Sequence, residues 1–245
     1  MRMDANAQDR LRALVEIHTK DERLLGEFMH FHFSVSQKLY SLEYFAAEVA
    51  GLQPIETWER LVSDDGQSVK LSTDMMTYGF KANMYLDCIL MNAMASLDTL
   101  AHEINILYGL WDLGSISPRR QDVYIGSVRE ELARSRSSKK LTAYLRDELQ
   151  KPWYEVFKGY RTCTTHESLV APDVEFKTTW YTGQLKQLAV KLPDDPKVRP
   201  FTYARNRELK SYCEETVKII EEVMSQTYVL IAEDIEGGGG SLPIS

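Results

Sequence analysis

Apolar residues recur at helical spacing along most of this chain. Between Asp9 and His18, Leu11, Leu14, Val15 and Ile17 fall on one stripe, with Asp4 or Asn6 available as caps. A longer periodic stretch runs from Asp21 to Ala50 through Leu24, Leu25, Phe28, Phe31, Val35, Leu39, Leu42 and Phe45. Gly51 closes it, as glycine commonly does at a helix end. Pro54 opens a short segment, Ile55 to Val62, that reads as one or two turns, and Ser63 to Ser68 has the composition of a loop. Ser72-Thr73-Asp74 then starts the strongest helix, which the pattern carries to Trp111.

That helix is apolar on nearly every face, which predicts a central element buried on several sides. Met75, Met76, Met84, Met91 and Met94 lie in it and read as gap-filling core. Gly109, Gly114 and Pro118 end it. Helices are predicted from Pro118 to about Arg136, from Lys139 to Gln150 after a Ser135-Arg136-Ser137-Ser138 break, and from Trp153 to about Tyr160 after Lys151-Pro152. Beyond His166 the period changes. Val174, Phe176, Thr178 and Trp180 alternate, then Leu185, Gln187 and Ala189 less strictly, around Thr182-Gly183, which predicts a hairpin over about 173–192. A loop, Leu192 to Pro196, follows, and helical period returns from near Asn206 to Asp234. The expected architecture is all-α, a helical bundle with a small β-hairpin, forming one domain over residues 1–236 with a glycine-rich flexible tail over 237–245.

Composition narrows the class. The chain has 245 residues, 44% hydrophobic and 27% charged, which excludes a disordered or collagen-like protein. No apolar run is long enough to span a membrane, and the N-terminal residues lack an apolar signal core. Cys88, Cys163 and Cys213 are widely spaced, as suits free thiols in a cytoplasmic protein. The net charge of −7 opposes indiscriminate coating of nucleic acid. Residues 118–160 are nevertheless net basic between acidic flanks, which reads either as a solvated basic helix pair or as a local phosphate or RNA site.

Candidate chemistry is sparse. There is no nucleotide-cradling glycine loop, no Gly-x-Ser-x-Gly elbow and no Cys-x-x-Cys knuckle, so neither a cofactor nor a metal is expected. A di-metal bundle needs two Glu-x-x-His pairs. Glu27 and His30 make one, with His32 nearby; Asp98 and His102 share a helix face but do not make the second, so these histidines read as structural. What remains is Arg161-Thr162-Cys163-Thr164-Thr165-His166. An arginine can hold a phosphate oxygen by paired charged hydrogen bonds, and a histidine can move the proton of a ribose 2′-hydroxyl. An arginine shortly before a histidine also occurs at Arg12/His18 and Arg23/His30, so spacing alone selects nothing. On an ideal helix, five residues would also set the two side chains apart around the axis.

Context separates the third pair from the others. Arg161 follows Pro152-Trp153-Tyr154-Glu155-Val156-Phe157-Lys158-Gly159-Tyr160 and is followed at once by a polar residue. In this the chain resembles the HEPN superfamily, helical bundles marked by Arg, a polar residue, three to five more, then His, after an amphipathic helix with an upstream aromatic. Asn92 to Asn105 resembles that family's long helix with small and acidic residues, and the similarity covers roughly residues 72–234 on pattern. It implies a metal-independent endoribonuclease in which Arg161 grips the scissile phosphate, His166 is general base or acid and Thr162 orients one of them, with Asp98 and His102 in support. It also implies a homodimer with the motif at its cleft. Trp153, Tyr154, Phe157 and Tyr160 would either line that interface or anchor their helix to its own core. Thr162 stands where active family nucleases usually carry Asn, Asp or His, and many members are not catalytic. The alternative is therefore a non-catalytic interaction or RNA-binding module, with a cognate protein partner, in which Arg161 and His166 form a surface pair bonded to Asp98 or Glu103.

Overall fold

The structure is a computed structural model, and it describes residues 5–52, 73–110, 123–164, 173–178 and 185–237. Among them, helices α1 (Ala5–His18), α2 (Glu22–Ala50), α3 (Thr73–Tyr108), α4 (Ile125–Ser135), α5 (Lys139–Leu149), α6 (Pro152–Thr162) and α7 (Leu209–Glu236) dominate, with strands β1 (Asp173–Thr178), β2 (Leu185–Leu192) and β3 (Arg207–Glu208). The fold is all-α with a small β-hairpin. The segment expected from Ile55 to Val62, the Ser63–Ser68 loop, the hairpin turn at Thr182-Gly183 and the tail beyond Gly237 lie outside the described residues. The chain divides into two compact units, residues 1–41, 92–155 and 216–245 in one, and residues 42–91 and 156–215 in the other.

In the first unit, Leu11 and Val15 make the buried stripe of α1, and Gln8 Nε2 donates to Ser36 Oγ of α2 at 2.6 Å. Asp21 caps α2 by accepting from the backbone N–H groups of Arg23 and Leu24. From residue 92 onward α3 buries Ala93, Leu97, Leu100, Ala101, Ile104 and Leu107. Its buried Ser96 and Thr99 hydroxyls donate to the carbonyls of Asn92 and Ala95, which satisfies them inside the helix. Ser138 caps α5 by accepting from the Leu141 N–H. The C-terminal part of α7 is tied in by Tyr108 OH donating to Asp234 at 2.7 Å and by the Lys140–Glu233 and Arg10–Glu236 ion pairs.

In the second unit, β1 and β2 pair antiparallel from Asp173↔Lys191 to Thr178↔Leu185, with a register shift between Lys177 and Thr178. β3 adds a third strand through Lys191↔Glu208 and Leu192↔Arg207. Two residues are too few to show a strand period, so this strand is not legible in the pattern and the final helix begins at Leu209 rather than near Asn206. Phe157, Tyr160, Cys163, Val190, Leu192, Leu209, Tyr212 and Cys213 are buried here.

The α3 helix corrects one expectation. Phe80 is 66% exposed, Met91 47% and Met84 42%, so an apolar stripe near its start is uncovered and these two methionines are not core. The three cysteines are free thiols. No helix among the described residues is long and apolar enough to cross a membrane.

Candidate functional site

Helix α6 positions the motif residues. Pro152 opens it, where its missing N–H costs nothing. Phe157 and Tyr160 are buried, so these two aromatics anchor α6 to the core of its own unit rather than supplying an interface; Trp153 and Tyr154 are half-buried. Arg161 and Thr162 form the last turn, both half-buried, and Cys163 next to them is fully buried. Thr164 Oγ1 donates to the Arg161 carbonyl at 3.1 Å, which satisfies one acceptor at the helix end. His166 lies outside the described residues.

The proposed supporting residues, Asp98 and His102, belong to the other unit. His102 stacks on Phe31 with ring centroids 4.6 Å apart and planes 5° from parallel. Glu103 is committed elsewhere. It is fully buried, its Oε1 lies 2.8 Å from His32 Nδ1 and its Oε2 accepts from Tyr228 OH at 2.8 Å. Burial pushes its carboxyl above the ordinary value, and the contacts with His32 and Tyr228 pull it back only in part. His32 is a satisfied core histidine, whereas His30 is exposed. No group of three His, Cys, Asp or Glu residues among the described residues could hold a metal ion.

Among the described residues of the stretch 118–160, five cations stand beside carboxylates. Arg129 pairs with Glu130, Arg134 with Glu131, Lys140 with Glu233, Arg146 with Asp147 and Lys151 with Glu148. These pairs lie at the surface and contribute little stability. An open cavity of about 560 Å³ in the same unit is lined in part by Tyr144, Trp153 and Glu222, and neither Arg161 nor Thr162 reaches it.

A different cationic feature sits against α6. Residues 193–206, here called the strap, connect β2 to β3. From Pro196 to Arg207 the chain holds Lys197, Arg199, Phe201, Tyr203, Arg205 and Arg207 at every second position and no acidic residue. Asp194 closes the loop. Its N–H donates to the Thr202 carbonyl at 2.7 Å, and its carboxylate accepts from the Thr202 hydroxyl and the N–H groups of Ala204 and Arg205. Partial burial opposes ionisation of Asp194, but these donors and the Arg205 charge together hold its carboxyl below the ordinary value.

Three contacts fasten the strap and the start of β3 to α6. Tyr160 OH donates to the Pro193 carbonyl, Arg207 Nη1 donates to Tyr160 OH, and Pro196 lies over Gly159, where a Cβ would meet it at 3.5 Å. Within the strap the Arg199 guanidinium stacks on Phe201 at 3.7 Å from the ring centroid, and the Tyr203 ring follows at 6.5 Å. Lys197, Arg199 and Arg205 are exposed.

Asp194→Ala is expected to loosen the strap and leave the helices intact. Trypsin should then cut after Lys197 and Arg205 faster than in the unaltered chain, with an unchanged far-ultraviolet helical signal. Because its folded value is depressed, Asp194 supports the strap above its unfolded value and loses that support as pH falls through the lowered one. Equal cutting rates at neutral pH would show that Asp194 does not hold the loop.

No family model, no curated protein and no solved structure matches this chain.

Proposed function

We propose that this chain is a metal-independent endoribonuclease of the HEPN type. The observation that carries the reading is the seat of Arg161. Tyr160 before it and Cys163 after it are both fully buried, which fixes the last turn of α6 and holds a half-buried guanidinium at its end. A guanidinium on a fixed backbone suits bidentate grip of a phosphate, since less side-chain freedom is lost on binding.

In the reaction, Arg161 holds the non-bridging oxygens of the scissile phosphate. His166 accepts the proton of the 2′-hydroxyl, O2′ bonds to phosphorus, the bond from phosphorus to O5′ breaks, and O5′ takes a proton. The products are a 2′,3′-cyclic phosphate and a 5′-hydroxyl. Thr162 orients the histidine or the phosphate by a hydrogen bond. Two copies related by a two-fold axis would bring two such motifs to one groove.

The test uses the full chain, mixed RNA and an excess of chelator. Cleavage that persists in chelator, and falls about 10²–10⁴-fold in His166→Ala, is the expected result. No cleavage of any RNA by the unaltered protein would overturn the nuclease and leave the non-catalytic RNA-binding module. Light scattering should give about 56 kDa, twice the 28.2 kDa chain; a strictly monomeric mass would remove the composite groove.

A further inference from the structure

We infer that the strap between β2 and β3 is a docking surface for a single-stranded polynucleotide and leads it to the end of α6. This deepens the ribonuclease reading by naming its substrate and the residues that hold it, yet it needs no cleavage to be true. Lys197, Arg199, Phe201, Tyr203, Arg205 and Arg207 take every second position, a pair of rings between two pairs of cations, and the strap's cations outnumber Asp194 and Asp195. A single strand offers partners for both kinds of side chain at each nucleotide, a charged phosphate for the cations and a flat base for the rings. Cations follow the backbone, and rings take the bases without regard to sequence.

Geometry carries the inference further than composition. The strap is not a loose basic tail, because Asp194 ties its far side to its start through Thr202, Ala204 and Arg205. Little ordering remains to be done on binding. Arg199, an exposed residue, already sits over the Phe201 ring, its Nη1 held by the Pro196 carbonyl, and the tilted Tyr203 ring lies 6.5 Å beyond Phe201. Arginine planes and aromatic rings are the surfaces on which unpaired RNA bases stack. The fastening to Tyr160 and Gly159 sets the strap beside the helix whose next residue is Arg161. An acidic peptide would answer the cations but bring no flat base to the stack of Arg199, Phe201 and Tyr203. A duplex would bury its base faces. Both are therefore disfavoured occupants.

The experiment measures fluorescence anisotropy of labelled oligonucleotides of about twelve nucleotides, within the site size of such grooves. The probes are 2′-O-methyl oligo(U), which has no free 2′-hydroxyl and cannot be cleaved by the route above, oligo(dT), and a duplex of the same length. The full chain should bind both single strands and the duplex more weakly. Equal affinity for the two single strands identifies the shared phosphate and base chemistry, and a preference for the ribose probe assigns RNA.

Phe201→Ala should weaken binding about 5- to 150-fold with an unchanged salt dependence. Lys197→Ala with Arg205→Ala should flatten the slope of log affinity against log salt by about 0.7 for each lost phosphate contact. Unchanged helical signal and melting temperature show that these substitutions leave the fold intact. Absence of single-strand binding at low salt, tighter binding of the duplex, affinities indifferent to all three substitutions, or displacement of the probes by polyglutamate at equal charge would each overturn the inference. Binding that follows the strap without any cleavage of ordinary RNA supports the strap and overturns only the nuclease.

Discussion

Glu103→Ala is expected to destabilise the protein by about 3–5 kcal/mol, because it removes the shared acceptor of a fully buried polar cluster. Glu103 takes contacts from His32 on α2 and Tyr228 on α7, each at 2.8 Å, so three helices meet on one carboxyl group. Alanine leaves an imidazole and a phenol buried without that partner and opens a cavity beside them. Tyr228→Phe removes one hydrogen bond and should cost less, about 1–3 kcal/mol.

The protonation state of the cluster gives a second readout. Burial raises the folded pKa of Glu103 above its unfolded value, so the folded state holds the proton more tightly. Its contribution is complete below the unfolded value, about 4.3, and is lost as pH rises from there through the raised folded value. Glu103→Gln stays neutral and retains an acceptor, so the variant should lack that decline. Denaturant midpoints of the two proteins should converge in acid and separate as pH rises through the folded value, the variant losing less. Parallel profiles would show that the Glu103 carboxyl takes up its proton alike in the folded and unfolded chain.

Much of the fold was legible because the information lies in long apolar arcs. The buried residues of α1, α5 and α7 recur at helical spacing and need no tertiary context to be read. The hairpin was legible for the same reason, through period-two alternation. The coverage of α3 was not. An element apolar all round records no preference among its faces, so nothing in the pattern separates exposed Met84 and Met91 from buried Leu86 and Leu90. β3 is too short to have a period at all.

The buried cluster left a trace that periodicity could have caught. His32 sits four residues after Phe28 and three before Val35, on the stripe that is buried, and Glu103 stands between Leu100 and Ile104 on α3. A histidine and a carboxylate on two apolar faces need a partner each, and each other is the economical answer. The strap was hidden by averaging. Residues 161–245 are net acidic as a block, and the acid-free run from Pro196 to Arg207 disappears in that sum. Conversely, the basic excess over residues 118–160 was conspicuous as a sum, and five of its cations stand beside carboxylates, four of them from the stretch itself. Local alternation is the better guide to a docking surface, since a strand is contacted a few residues at a time.

Leu97→Ala and Ile104→Ala should each cost about 2–5 kcal/mol, and Met91→Ala on the same helix should stay within about 0.5 kcal/mol. Leu97 and Ile104 are seven residues apart, close to two turns, and therefore share a face, and neither has any exposed surface. Ala93 stands one turn before Leu97, and Leu100 and Ala101 complete a buried arc that mixes small and large side chains. A cavity cut into so dense a face cannot relax fully, and the cost rises with the space left behind. Met91 is 47% exposed, so its truncation removes fewer protein contacts than truncation of Leu97 or Ile104. Urea midpoints of the three variants, read against one common slope, give the comparison. Equal and small losses at all three positions would place this half of α3 at the surface. Losses of the expected size confined to Leu97 and Ile104 would mark residues 92–108 as the structural centre of their unit, the same stretch that holds Glu103 in place.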